Sequence, residues 1–522
     1  MGVNKKNTSV TAVFIVFATL SAKLCGMLRD VFVAGLYGTA TNEAIAFSTA
    51  TRIPLLFFDI ALGSAVTSAF IPIFNEYLEK DSRKKAIEFS NCFINLVLAI
   101  TVLLSLLGMV FSKQLVHLIA GGYNDPQKIY LTSQLVKILF PTIIFTGLAY
   151  CFVGVLQSFG EFYVPAIISL VSNGLLLLYL IFVGDRFGVH GVAIAMLVAW
   201  LSQVLVQIPS LVKYKYTYRL NLNFKNDGIK RVCILALPII VSTWVQPINT
   251  MVNIRLASSM AGGSAVTALD FANKLYIILV GVFTFAITNL IFPSLSRAVA
   301  KGDKSEFSVL MKNALKYVMF IITPIMAGFL LISTPIIRLF YERGAFGAES
   351  TYLTATALFF YSIGMLGYGV QEICNKGFYA MHNGKTPMIV SMLGIVLNII
   401  LSLVFVKGFG SGHWALAFSA SIASNLIGVS MLFILNKKAG NILDKDIAVY
   451  FIKILISVVL MSIAVWFVNI KIADVTSKVL AVAIPACVGA VVYFISCIVL
   501  KLPGITEIIS MLRNGLKGGK AN

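Results

Sequence analysis

Apolar runs recur along this chain at about 20 residues, the length that carries an α-helix across the hydrocarbon core of a bilayer. Fourteen are legible, near 9–34, 45–76, 88–112, 131–158, 161–184, 187–212, 229–258, 264–297, 307–333, 349–379, 386–407, 412–436, 447–470 and 477–500. The pattern predicts an all-α integral membrane protein. The start, "NKK" before an apolar run, has the outline of a signal peptide. The run continues into "KLCGMLRD" without a small-residue cleavage site, so it reads as a retained first helix.

The polar stretches between these runs alternate in charge. "EYLEKDSRKKAIE" follows the second run, "KYKYTYRLNLNFKNDGIKR" the sixth, "SRAVAKGDKSE" the eighth and "NKKAGNILDKD" the twelfth. The intervening loops, such as "GLYGTATNE", "MAGGSA" and "NIKIADVTSK", hold few bases. Basic loops stay in the cytoplasm, which predicts both termini inside the cell. "RLFYERGAFGAES", with Arg338 and Arg343 on the outer side, is a partial exception. Composition agrees: 59% of residues are hydrophobic and 12% charged, too little polar surface for a soluble protein of 522 residues. The net charge of +20 reports cytoplasmic loops rather than a nucleic-acid surface.

The chain also repeats itself at an offset of about 221–223 residues. "ATRIP" matches "ANKLY", "AFIPIFNEYLEKD" matches "NLIFPSLSRAVAKGD", and "SFGEFYVPAIISLVSN" matches "YAMHNGKTPMIVSMLG". Pro72 thus stands opposite Pro293, and Pro165 opposite Pro387. Six helices per copy make a parallel repeat. The expected organisation is an N-terminal lobe over 1–213, a cytoplasmic loop over 214–228, a C-terminal lobe over 229–438, two extra helices over 447–500 and a cytoplasmic tail over 501–522. Two such pseudo-symmetric lobes around a central cavity suit an alternating-access transporter, the alternative being an oligomeric scaffold or channel built from duplicated bundles.

The seven cysteines (25, 92, 151, 233, 374, 487 and 497) lie in apolar stretches without metal-type spacing, and the four histidines do not pair, so no metal site is expected. More informative are charges inside predicted spans, each costing about 2.5–3.5 kcal/mol at mid-bilayer. Lys23 and Asp30 share a face of the first span, with Arg29 about 100° away. Arg52 and Asp59 share a face of the second, around Pro54, which should kink it. Asp270 and Lys274 share a face of the eighth. In the seventh, Gln246, Asn249 and Asn253 form a polar stripe with Arg255 just beyond, and in the tenth Glu372 and Lys376 read as an ion pair joining helices. Lys23, Arg29, Arg52, Arg255 and Lys274 outnumber Asp30, Asp59 and Asp270, which predicts a cavity with surplus positive charge. Several guanidinium groups together suit a diphosphate, free or lipid-linked.

"KLCGMLRDVFVAGLYG", followed by "ATRIP" and "AFIPIFNEY", resembles the MurJ/MviN family of lipid II flippases, within the multidrug/oligosaccharidyl-lipid/polysaccharide exporter superfamily. The resemblance spans essentially the whole chain. It implies fourteen helices in two lobes, a V-shaped cationic cavity, and outward movement of undecaprenyl-diphosphate-linked peptidoglycan precursor across the cytoplasmic membrane. Arg29 and Asp30 match the family's "GxxRD" motif, which makes Arg29 the leading diphosphate ligand; Lys23 stands where arginine is usual, and Arg255 resembles a cavity arginine of some members. Departures are Phe57 and Phe58 in place of an arginine after the "RIP" proline, Leu62 in place of an acid, and Asn273, Lys274 and Ile277 in place of an Asp-Arg pair with a later Glu. The seventh and eleventh spans lack the carboxylates through which some members bind sodium.

The expected function is therefore lipid II flipping without covalent chemistry. Arg29, Arg52, Arg255 and Lys23 would clamp the diphosphate, Lys274 would contribute from the second lobe, and Asp30, Asp59, Gln246, Asn249, Asn253 and Asp270 would support the cavity. No cofactor is expected, and sodium and membrane potential both stay open as the coupling force. Expected partners are the lipid-linked precursor and membrane lipids, with cell-wall synthases as further candidates and no nucleic acid. Rival readings are a flippase for a capsule or teichoic precursor, a cation-coupled multidrug exporter (which would want an acidic cavity), and a non-transporting scaffold for envelope synthesis.

Overall fold

A computed structural model describes residues 5–62, 69–223, 226–472 and 477–502. Every regular element among them is helical. The chain divides into two compact units, Met1–Phe271 with Arg343–Ser350, and Ala272–Glu342 with Thr351–Asn522.

The first unit contains α1 (Lys5–Tyr37), α2 (Asn42–Ala61), α3 (Ile71–Lys80), α4 (Arg83–Val110), α5 (Ser112–Ile119), α6 (Pro126–Leu139), α7 (Thr142–Ser158), α8 (Tyr163–Phe182), α9 (Gly188–Leu205), α10 (Ile208–Lys213), α11 (Asp227–Thr243), α12 (Val245–Ala257) and the first turns of α13 (Ser264–Ala300). The second holds the rest of α13, α14 (Lys304–Phe340), α15 (Ala348–Ser362), α16 (Met365–Ala380), α17 (Lys385–Leu403), α18 (Trp414–Ala439), α19 (Lys445–Lys471) and α20 (Lys478–Val499), α15 being shared at its first residues.

Local chemistry sets several starts. Thr41 caps α2 by accepting from the amide of Ala44 (3.1 Å), and Ser82 caps α4 through Lys85 (3.3 Å). Asp125 accepts from Gln127 at 2.9 Å, and Pro126 opens α6 where its missing N–H costs nothing. Asp303 caps α14 through Glu306 at 2.8 Å. The caps Ser82 and Asp303 stand at corresponding places of the two copies, and the starts of α2, α4, α6 and α8 recur in α13, α14, α15 and α17 at the offset read from the sequence. The duplication is thus carried by stop-and-start signals as well as by apolar pattern.

Eleven helices among the described residues are long and apolar enough to cross a bilayer, or twelve when α15 and α16, bent by 48°, make one span. Adding α1, about 50 Å long at 33 residues, and α11 with α12 makes the whole compatible with fourteen crossings. The long second run divides: α2 ends at Ala61 and α3 begins at Ile71, and α2 runs through Pro54 as one helix. In the second unit, Gly367 and Gly428 let α16 and α18 approach until a Cβ on Gly428 would meet the carbonyl of Gly367. Small residues at such a crossing replace the hydrophobic drive that lipid does not supply.

Candidate functional site

The first unit holds most of the charges singled out above, and the structure pairs them differently from helical spacing. Arg29 folds back on its neighbour: Nε and Nη2 donate to one oxygen of Asp30, at 3.1 and 2.8 Å. Its Nη1 donates to Asn173 Oδ1 of α8 at 2.9 Å, and Asn173 Nδ2 donates to the carbonyl of Ala22 at 3.2 Å. Gly26 makes that possible. A Cβ there would sit 3.3 Å from the Asn173 amide nitrogen, tighter than ordinary packing.

A guanidinium carries five N–H hydrogens. Three are used, so Arg29 keeps two, one on each terminal nitrogen, without a partner among the described residues. The side chain is 23% exposed against 10% for Asp30. Beside it lies a cavity of about 120 Å³ where Arg29, Ser169, Ser172, Asn173 and Gln203 meet the apolar side chains of Leu176, Met196, Ala199 and Trp200, with Gln203 Nε2 donating to Ser172 Oγ at 2.9 Å. Hydroxyl and amide groups beside a half-covered guanidinium suit an oxyanion.

Arg52 does not take Asp59, which shares its helix. It donates through Nη2 to Asp270 of α13, whose carboxylate is buried. Asp59 is exposed and makes no ion pair among the described residues. Lys23 is half-buried and also lacks an ion pair there. Arg255 is exposed and caps α5, donating to the carbonyls of His117 and Leu118, the latter at 3.3 Å. Helix C-termini leave such carbonyls without intrahelical donors. The expected surplus of uncompensated cations is therefore corrected for Arg29 and Arg52, each of which rests on a carboxylate.

Of the polar stripe on α12, Asn249 is buried, Asn253 half-buried and Gln246 exposed. Asn253 Nδ2 donates to Asn249 Oδ1 at 3.5 Å, and Asn253 Oδ1 is buried without a partner among the described residues. Lys274 belongs to the second unit. Glu372 and Lys376, also there, form no ion pair among the described residues: Asn375 donates to Glu372 at 3.3 Å, and the Lys376 ammonium lies 5.8 Å from the centre of the Phe292 ring.

Sequence reasoning did not single out Asn173 or Lys128. Lys128 is 8% exposed, donates to the carbonyl of Gly262 and stands over the Tyr123 ring. Asn173 offered a signal, since one amide inside the apolar helix "YVPAIISLVSNGLLLLYLIF" needs a partner.

The family model for lipid II flippase MurJ matches residues 33–485. This chain belongs to that family. A probable lipid II flippase MurJ of Treponema pallidum is 28% identical over 519 residues, covering 96% of both chains. A probable lipid II flippase MurJ of Rhizobium meliloti is 29% identical over 80% of this chain and 78% of its own. Among solved structures, a lipid II flippase MurJ in an inward closed conformation superposes with a TM-score of 0.79 at 26% identity, covering 94% of this chain and 99% of its own. A multidrug transporter of the MATE family, in the MOP superfamily, aligns with a TM-score of 0.68 at 15% identity over 80% of this chain and 94% of its own, a likeness of fold alone. The MurJ membership makes this a multi-pass membrane transporter rather than a catalyst of covalent change.

Proposed function

We propose that the chain flips lipid II, carrying undecaprenyl-diphosphate-linked peptidoglycan precursor from the inner to the outer leaflet of a bacterial cytoplasmic membrane by alternating access, with both termini in the cytoplasm. Family membership across 33–485 supports the substrate class. The observation that carries the site is the seat of Arg29: a fixed guanidinium with one N–H to spare on each terminal nitrogen, beside a cavity that also holds hydroxyl and amide side chains. Spare N–H donors on a fixed guanidinium suit the oxygens of a phosphoryl group. Arg52 would add a second charge, while Asp30 and Asp270 hold the arginines when substrate is absent. Lys23 supplies attraction at longer range. No bond is made or broken, and transport needs only that two access states bind the cargo differently. Cell-wall synthases, which consume the product on the outer face, are the implied protein partners.

The test is rescue of a bacterium depleted of its lipid II flippase, with lipid II translocation measured in parallel in vesicles carrying the purified chain. The wild-type chain should support both, and Arg29→Glu neither. Growth rescued equally by Arg29→Glu would mean a scaffold. Translocation of another polyprenyl-diphosphate glycan but not lipid II would move the assignment to that substrate.

A further inference from the structure

Residues 214–223, which follow α10, hold no helix, yet α4 ties them down along their length. Arg83 donates to the carbonyl of Tyr214. The Tyr216 hydroxyl lies 2.9 Å from Ser90 Oγ and donates to Asn91 Oδ1 at 2.8 Å, while Asn91 Nδ2 donates to the carbonyl of Thr217 at 3.0 Å. One turn on, Asn95 repeats the arrangement, accepting from the Tyr218 hydroxyl and donating to the carbonyls of Asn221 (3.1 Å) and Arg219 (3.4 Å). Cys92 Sγ reaches the carbonyl of Asn223 at 2.9 Å. The carbonyls of 217, 219, 221 and 223 thus all face α4, the segment running out from Asn91 to Asn95 and turning back to Cys92. Tyr216 is buried against α4 and the Tyr218 hydroxyl is tied to Asn95 with the residue 47% exposed, whereas the side chains near the turn are left outside, Leu220 at 75% exposure and Leu222 at 60%.

What these leucines face follows from α4 itself. Asn91, Asn95, Ala99, Val102 and Leu106 fall on one side of that helix. Ala99, Val102 and Leu106 are exposed, a purely apolar stripe on a membrane span, so this side meets lipid. The tethered segment therefore lies over the lipid-facing side of α4, at its basic-loop end, where two bare asparagines would be costly. Within the apolar run 88–112, Asn91 lies in the first turn and Asn95 one turn further in, so the segment's tip reaches the start of the spanning stretch. Lys213, Lys215 and Arg219 are exposed along the same stretch and make no ion pair among the described residues.

We propose that residues 213–222 are a lipid-docking segment. Tyr218, Leu220 and Leu222 insert at the boundary between headgroups and acyl chains, and Lys213, Lys215 and Arg219 hold anionic phospholipid headgroups of the adjoining leaflet. This leaflet is the cytoplasmic one in the orientation proposed above; the docking itself does not depend on the cargo. Basic side chains beside an anionic surface each multiply binding about fivefold, and apolar side chains between them fix depth.

The test uses the full chain in nanodiscs, with Leu220→Trp read as a difference from the parent. Brominated acyl chains are carried either on phosphatidylglycerol or on phosphatidylcholine at equal mole fraction. The added tryptophan should be quenched like Leu106→Trp, and phosphatidylglycerol should quench at least about fivefold more effectively than phosphatidylcholine. Replacing Lys213, Lys215 and Arg219 together by glutamine should abolish that preference and leave quenching by phosphatidylcholine intact. Tyr218→Trp repeats the measurement should Leu220→Trp misfold. A tryptophan at 220 or 218 no more quenched than Lys301→Trp in a polar loop would overturn the proposal and point to a soluble partner for the two leucines. Quenching without preference for the anionic lipid would overturn it equally.

Discussion

Asn173 separates two requirements that Arg29 alone confounds, orientation and charge. Its carbonyl oxygen sits 2.9 Å from Arg29 Nη1. Asn173→Ala removes one acceptor from a charged donor, a loss of about 1.5–3 kcal/mol in stability, and lets the guanidinium swing. Asn173→Asp keeps the acceptor and adds a second carboxylate. The guanidinium should then be held more firmly, and the thermal midpoint should rise relative to the alanine variant. The same carboxylate would stand roughly 5 Å from a phosphoryl oxygen seated on the two spare hydrogens, a repulsion of about 3 kcal/mol at an effective dielectric constant near 20, or roughly a hundredfold in affinity.

Stability and function should therefore move in opposite directions. Lipid II binding by the purified chain should fall about fivefold for alanine, the equivalent of about 1 kcal/mol, and roughly a hundredfold for aspartate. Thermal midpoints would be ordered aspartate above alanine. Binding and thermal unfolding on one preparation decide it. Aspartate binding lipid II as well as asparagine would refute the reasoning, because the site would then need only a well-held Arg29 and no net positive charge.

Arg29→Lys keeps the charge and loses the planar fork, so lipid II binding should weaken by roughly ten- to a hundredfold; equal binding would mean that charge alone matters. Gly428→Ala drives a Cβ against the carbonyl of Gly367 and should destabilise by about 1–3 kcal/mol in thermal unfolding, whereas Gly384→Ala, with nothing within 4 Å, should not. Asp444 caps α19 by accepting from Ile447 N at 3.0 Å and pairs with Lys312; Lys312 first and the amide second hold its carboxyl below the usual range. A depressed carboxylate stabilises above its unfolded value near 3.9 and loses that contribution as pH falls through the lower folded value. The stability lost in Asp444→Asn, under about 1 kcal/mol at this partly exposed site, should thus be constant from neutral to about pH 5, and the difference between the two chains should vanish on further acidification.

The helices were legible because a twenty-residue apolar run has few alternatives in a membrane chain, and the duplication because caps and prolines recur at one offset. Arg29 and Asp30 were legible as costly charges in such a run. Their partners were not. Spacing rules report neighbours one or two turns away, whereas Arg29 reaches 144 residues to Asn173 and Arg52 reaches 218 to Asp270, passing over Asp59 on its own helix. Arg255 is harder still. It binds main-chain carbonyls, which every residue offers and no side-chain pattern marks. Asn91 and Asn95 look unremarkable in sequence for the same reason, since most of what they hold is the backbone of 217–221.

Pairing of Arg29 and Arg52 with carboxylates bears on whether these arginines can serve a diphosphate at all. An empty site with bare guanidinium groups among apolar helices would be costly, because removing one partner of a buried pair leaves an uncompensated charge worth about 3–5 kcal/mol. Asp30 and Asp270 lower that cost while the site waits. They also stay beside the cargo once it arrives, where two carboxylates oppose a diphosphate and cap its affinity. For an enzyme inhibitor that would be a defect; for a carrier it is useful, since cargo held with many kilocalories in one access state cannot be released in the other without an equal drive. Asn173 fits the same logic, orienting Arg29 through a neutral amide where a third carboxylate would close the site to anions.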